Sequence, residues 1–250
     1  MSKAMNDRIT LGALALVVVL STSWQGRAAD AKAPYPSMAP LDQYLIADRN
    51  AEIALARSAA PPSISRDAKV MVLGLHGYET AAEGKNGFVC IVERAWMNPF
   101  DSPEFWNPKN RSPICLNPPA ARTVLPLTLM RTKWVLAGKS KEEVKESVKA
   151  AIEKKELPEL EAGAMSYMMS KDAYLTDADG HNMAHLMFYT PLMDGAVWGA
   201  NLVDSSNNVS VPFPGSPLLL APLFRGNPEP INVFLMGTGM WSDGTAAPVM

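Results

Sequence analysis

The chain is poor in the residues that build common catalytic and metal centres. It holds two cysteines and three histidines, too few for a thiolate-rich zinc cluster, which needs paired Cys or Cys/His ligands at close spacing. An excess of positive charge is missing as well. With 23 Lys+Arg against 25 Asp+Glu, the formal charge is −2, so no overall positive field is available to hold nucleic acid. Long apolar runs are also absent. The longest, Ile9–Leu20, has 12 residues, whereas a membrane-spanning helix needs about 20. The nucleophile and phosphate motifs G-x-S-x-G, S-x-x-K with its companions, and G-x-G-x-x-G do not occur, which removes the usual sequence signatures of hydrolases and dinucleotide-binding enzymes.

What is present begins with an address. Lys3 and Arg8 precede the apolar run, and small residues at Gly26 and Ala28 follow it, the three-part pattern of a secretory signal peptide. Cleavage is expected after Ala28, with Ala29/Ala31 as a second cut. Residues 1–28 carry a net charge of +2, from Lys3, Arg8, Arg27 and Asp7, so the mature chain has a formal charge of −4. A soluble protein exported to the periplasm or the medium follows, with no membrane span after cleavage. Cys90 and Cys115 both lie in the exported part, and an oxidising compartment favours a disulfide between them.

Residues 29–40, with Pro34, Pro36 and Pro40, read as a Pro-rich tether because proline lacks an N–H and fixes φ. Residues 41–250 read as one α+β domain. Its expected elements are a helix over 41–60 ended by Pro61–Pro62, a strand over 70–80 with a bulge near Gly74 and Gly77, and a strand over 88–96. The Asn86–Gly87 turn signal makes the two strands hairpin partners. Residues 97–119 contain six prolines and are expected to be an ordered loop without regular structure. A helical pattern over 120–137 is expected to be kinked or divided at Pro126. A second helix starts at Ser140, whose side chain and Glu143 form a capping box. Later strands are expected over 163–170 and 182–191, flanking an Asp179–Gly180 turn, and in 196–203, 218–224 and 231–237. The sum is one mostly antiparallel sheet, with the two middle helices packed on one face and a single disulfide.

Three groupings bear on chemistry. His76, His181 and His185 number enough for a catalytic zinc, but residues four apart in a strand are about 13 Å apart and no HExxH glutamate accompanies them; no metal is expected. Asp177, Asp179 and Gly180 resemble part of a calcium loop, yet the remaining oxygen ligands are lacking. The third grouping surrounds the cysteines: Glu93, Arg94 and Trp96 at a strand end, then Phe100, Asp101, Glu104, Phe105 and Trp106. Rings beside carboxylates can hold a ligand by stacking and hydrogen bonds, paired carboxylates can hydrolyse a glycoside, and the same residues can pack as the loop's own small core.

GFVCIVERAW, PFDSPEFWNP, PICLNP and HLMFYTP together resemble a group of exported bacterial proteins with no assigned activity. The resemblance covers most of the mature chain and implies export and a single domain, without giving any residue a role. The sequence therefore carries three functional expectations and no cofactor: a noncatalytic module that binds a small molecule or an envelope component, a secreted hydrolase using a carboxylate or His-based site, or a structural envelope component.

Overall fold

In the computed structural model, residues 34–177, 183–192, 201–202, 218–219 and 228–248 are described. The expected signal segment, the Asp179–Gly180 turn and His181 lie outside them. The described strands are β1 (Lys69–Gly74), β2 (Gly77–Ala82), β3 (Val89–Glu93), β4 (Ser112–Leu116), β5 (Met165–Met168), β6 (His185–Pro191), β7 (Asn201–Leu202), β8 (Leu218–Leu219) and β9 (Ile231–Gly237). They join in one sheet of order β2-β1-β3-β4-β5-β6-β9-β8-β7. Every pairing is antiparallel except β1–β3 and β7–β8. The helices are α1 (Arg49–Arg57), α2 (Pro62–Ser65), α3 (Pro118–Thr123), α4 (Leu125–Leu136) and α5 (Lys141–Glu153). The chain is thus α+β with a mostly antiparallel mixed sheet.

Alternation along the strands sends successive side chains to opposite faces, and both faces are covered. Val70, Val72, Cys90, Val92 and Cys115 pack with Ala56, Ala59 and Ala60 at the end of α1. Ile91, Ile114, Leu116 and Met168 point the other way and meet Ala120 and Leu125 of α3 and α4. Val135 of α4 and Val144 and Val148 of α5 extend that side into a cluster with Trp96, Phe100, Phe105 and Trp106. The middle helices therefore cover one face, as the pattern predicts, while α1 seals the other. Cys90 and Cys115 stand opposite one another on β3 and β4 with Cα atoms 4.0 Å apart and form the expected disulfide.

Four local expectations change. The helix expected over 41–60 is limited to Arg49–Arg57, because Asp48 caps it by accepting from the Asn50 N–H at 2.8 Å and Tyr44 is spent on the loop cluster instead. The run 70–80 is not one bulged strand but the hairpin β1–β2, turning at Leu75–His76 with Gly77 at φ 125°, where a residue with a Cβ is strained. Asn86–Gly87 then leads not into an antiparallel partner but into β3, which runs parallel to β1 on its other side. This crossing brings residue 84 so close to Ala68–Lys69 that a Cβ there would sit 2.7 Å from the Ala68 carbonyl carbon, so only glycine fits. Finally, the Pro-rich loop contains β4, with Pro113 inside it. Arg111 N–H donates to Tyr174 at 2.8 Å, on the β5 side, and alternation puts the missing N–H of Pro113 on that same side. There β5 has already turned away, its Met169 N–H donating to Ala59 at 2.9 Å, so no ladder bond is lost.

The capping box of α5 is present, with Glu143 N–H donating to Ser140 Oγ at 3.2 Å and Ser140 N–H donating to Glu143 Oε2 at 2.8 Å. Pro126 occupies the first turn of α4, where its lack of an N–H costs nothing, and so divides α3 from α4. Among the described residues no helix is long and apolar enough to cross a membrane.

Candidate functional site

The side chains singled out around the disulfide separate into three environments. Most of the aromatic rings turn inward. Trp96 is fully buried and its indole N–H donates to Thr132 Oγ1 at 3.0 Å, while its ring lies 5.2 Å from that of Tyr44. Phe100 stacks on Phe105 at 5.4 Å, and Trp106 meets Phe105 edge-on at 4.7 Å. These rings form the small core of the loop rather than an open stacking surface. Glu104 ties the loop down, accepting from Asn107 Nδ2 at 2.8 Å and from the Asp177 N–H at 3.0 Å. Asp101 is exposed.

Arg94 occupies the second environment, on the α1 face. Its Nη2 donates to Glu52 Oε1 at 2.9 Å, its Nε to the Tyr44 carbonyl at 2.7 Å, and its Nη1 to the Val92 carbonyl. Glu52 also accepts from the Leu73 N–H at 3.1 Å. Each nitrogen of the guanidinium has an acceptor and its charge has a counterion, which is what a buried ion pair needs to offset its desolvation. This pair joins α1 to β1 and to the end of β3.

Glu93 belongs to the third. It points to the opposite face from Arg94, as alternation requires, and meets α4. Thr128 Oγ1 donates to its Oε1 at 3.1 Å. Burial pushes its carboxyl up to about 7, with the Thr128 hydrogen bond and the Arg131 charge acting against the rise. Arg131 is itself buried, and its Nη1 pairs with Glu229 Oε1 at 3.5 Å, side-chain exposures being 2% and 9%. Burial lowers the Arg131 pKa to about 10 and raises that of the Glu229 carboxyl. The guanidinium carbon lies 4.3 Å from the Phe100 ring centroid and 5.7 Å from that of Phe105, and Nη2 donates to the Asn98 carbonyl at 3.0 Å. The loop aromatics are thus the wall that fixes the plane of Arg131.

This cluster is incompletely satisfied. Arg131 Nε and Glu229 Oε2 are buried without hydrogen-bond partners. Glu93 and Glu229 are half-buried as residues, and the Glu229 side chain is only 9% exposed. Thr128, Arg131 and Glu229 were not among the candidates read from sequence. Their signal was available in part: Leu125, Thr128, Arg131, Thr132 and Val135 form the buried stripe of α4, and a charged residue on a buried stripe calls for a partner. The partner, 98 positions away, could not be read.

The other groupings have ordinary occupations. Asp177 accepts from Tyr35, Tyr174, Lys109 and Asn107. These donors pull its carboxyl far below the usual carboxylate range, with Tyr174 contributing most. A carboxylate so engaged is no calcium ligand. His185 is buried, its Nδ1 is 2.5 Å from the Met183 carbonyl, and burial lowers its pKa to about 4. His76 is exposed at the β1–β2 turn. Four strand spacings separate β1 from β6 in the sheet, about 19 Å, so these two histidines cannot share an ion. Among the described residues no group of three His, Cys, Asp or Glu side chains is placed to hold a metal.

Fold and site together define an α+β protein with a disulfide between neighbouring strands and a buried, partly unsatisfied carboxylate–guanidinium cluster on the helix-covered face. No protein-family model, curated protein or solved structure matches the chain.

Proposed function

We propose that the chain is an exported, noncatalytic ligand-binding module that works in the periplasm or the medium, and that Glu93, Arg131 and Glu229 form its binding site. The basic-then-apolar N-terminal segment supports export, as does a disulfide, which persists in oxidising compartments. The resemblance to exported bacterial proteins belongs to the same proposal. The observation that carries the binding reading is the pair of unused hydrogen-bonding atoms, Arg131 Nε and Glu229 Oε2, on one buried ion pair. Buried polar atoms are normally satisfied, so an open donor and an open acceptor on one ion pair, beside the buried Glu93 carboxyl, support a binding role for this cluster.

A thermal-unfolding screen against neutral, cationic and anionic small molecules tests this. At least one class is expected to raise Tm in the native protein and to do so much less in Arg131→Lys, which keeps the charge but lacks the guanidinium fork. If no class gives an Arg131-dependent shift, the binding reading fails.

A second reading, a secreted hydrolase, is favoured by one observation: a carboxyl whose pKa sits near 7 is suited to general acid catalysis. Hydrolysis of chromogenic glycosides that is abolished in Glu93→Gln would move this reading ahead of noncatalytic binding.

A further inference from the structure

We infer that His185, Met168 and Met183 form a binding site for a soft monovalent metal ion of the copper(I) class, with one imidazole nitrogen and two thioether sulfurs as its ligands. The inference is independent of the Glu93–Arg131–Glu229 reading, since β6 lies three strand spacings from β3 in the sheet. It starts from the tautomer of His185. The Met183 carbonyl can only accept, so Nδ1, 2.5 Å from it, carries the proton and Nε2 keeps its lone pair. Histidines that ligate metals are held in the same way, by a carbonyl or carboxylate on the ring nitrogen that does not bind. Burial lowers the His185 pKa to about 4, so a proton does not compete for Nε2 near neutral pH.

The register of the sheet then brings sulfur to both sides of the ring. Met168 on β5 stands directly opposite His185, where facing Cβ atoms are about 5 Å apart. On the other side the residue opposite is Gly237 of β9, which has no side chain to fill the place. Met183 fills it instead, its Sδ lying 4.0 Å from where a Gly237 Cβ would be. The Thr238 N–H donates to the Ala184 carbonyl at 2.9 Å, so the pairing of β6 with β9 continues past His185 and Met183 falls on the His185 face. Methionine has three rotatable bonds, so both sulfurs can turn onto an ion at Nε2 while the backbone stays in place. Met183 is half-buried and Gly237 exposed, which puts the approach to the ring on the β9 side. The donor set selects the metal. Thioether sulfur is soft and uncharged and suits copper(I), whereas calcium takes oxygen and zinc takes thiolate, imidazole or carboxylate.

The test titrates the native, disulfide-bonded protein with silver(I), a redox-inert stand-in for copper(I), in chloride-free buffer, with zinc(II) and calcium(II) as the borderline and hard controls. The methionine methyl and His185 ring-nitrogen resonances are followed. One equivalent of silver(I) is expected to move the Met168, Met183 and His185 signals before those of the exposed Met236 and Met240. Affinity is expected to fall at least about tenfold in Met168→Leu and in Met183→Leu, exchanges of similar volume that a packed site tolerates, and to stay unchanged in Met240→Leu. The resonances of the unmutated protein carry the test if a variant does not fold. If silver(I) moves only the exposed methionines, moves His185 without either sulfur, or moves nothing, the site is rejected. If zinc(II) or calcium(II) moves the His185 signal and silver(I) does not, the soft-metal class is overturned.

Discussion

Two arginines, each buried against a glutamate, show how differently the same pair can be used. Arg94 has an acceptor on Nε, Nη1 and Nη2 and its Glu52 partner also receives a backbone N–H, so the group serves attachment. Arg131 has a cation–π wall, one backbone acceptor and a long pair to Glu229, and keeps Nε open. Glu93 adds a titration near neutral pH. Its folded pKa, about 7, exceeds the ordinary 4.5, so the native state binds its proton more tightly than the unfolded chain does. The stability this provides is fully present below about pH 4.5 and is lost as pH rises through about 7. Glu229 shifts in the same direction, whereas buried His185, with its lowered pKa, makes stability rise with pH from about 4 to 6.5. The contribution of Glu93 is isolated by comparison with Glu93→Gln. Denaturant titrations between about pH 4.5 and pH 7 are expected to show the native protein losing about 1–3 kcal/mol relative to the variant. Parallel pH profiles for the two proteins would refute the assignment.

At the level of elements, some local signals are self-contained and others depend on what lies across the sheet. Ser140 and Glu143 cap α5 through bonds within four residues, and Pro126 divides its helix through the geometry of a single ring, so both are legible. Asn86–Gly87 signals a turn but not the direction in which the chain leaves it. Because β2 pairs with one edge of β1, β3 takes the other edge and runs parallel. The connection passes so close to Ala68–Lys69 that residue 84 has no room for a Cβ. Gly84→Ala is therefore expected to destabilise the protein by at least about 2 kcal/mol through displacement of the start of β1. The same change at Gly138, where nothing lies within 4 Å of an added Cβ, is expected to cost less, about 1 kcal/mol from its positive φ alone. Equal losses measured by chemical denaturation would show that the crossing is looser than described.

For the molecule as a whole, the disulfide and the two helical layers share the work of holding the sheet. Cys90 and Cys115 are 25 positions apart, and closing a loop of that size removes enough freedom from the unfolded chain to stabilise the fold by about 3.5 kcal/mol in the chain-entropy view. The bonded sulfurs face α1 within an apolar cluster, so paired Cys→Ala variants are expected to retain the sheet and lose roughly that amount, read as a lower denaturation midpoint with an unchanged far-ultraviolet spectrum. Loss of the sheet signal itself would mean that the bond is required to form the fold. The long loop it closes contributes Phe100 and Phe105 to the support of Arg131, so the staple also connects the architecture to the candidate site.

The α+β class, the helix break at Pro126 and the capped helix were legible in the residues because each depends on composition, on periodicity or on contacts between near neighbours; the mostly antiparallel sheet followed from the grouping of the helices in mid-chain, and two cysteines allow a single pairing within the chain. The sequence also drew attention to Glu93, Arg94 and the aromatics of the Pro-rich loop. Only the tertiary structure decided what each of them does: the alternation of β3 sends Arg94 to Glu52 on one face and Glu93 to Thr128 on the other, and the path of the loop carries its rings inward. The meeting of Arg131 with Glu229 spans 98 positions. No local pattern encodes a contact of that range, since it arises from how α4 and the approach to β9 are set against the same sheet.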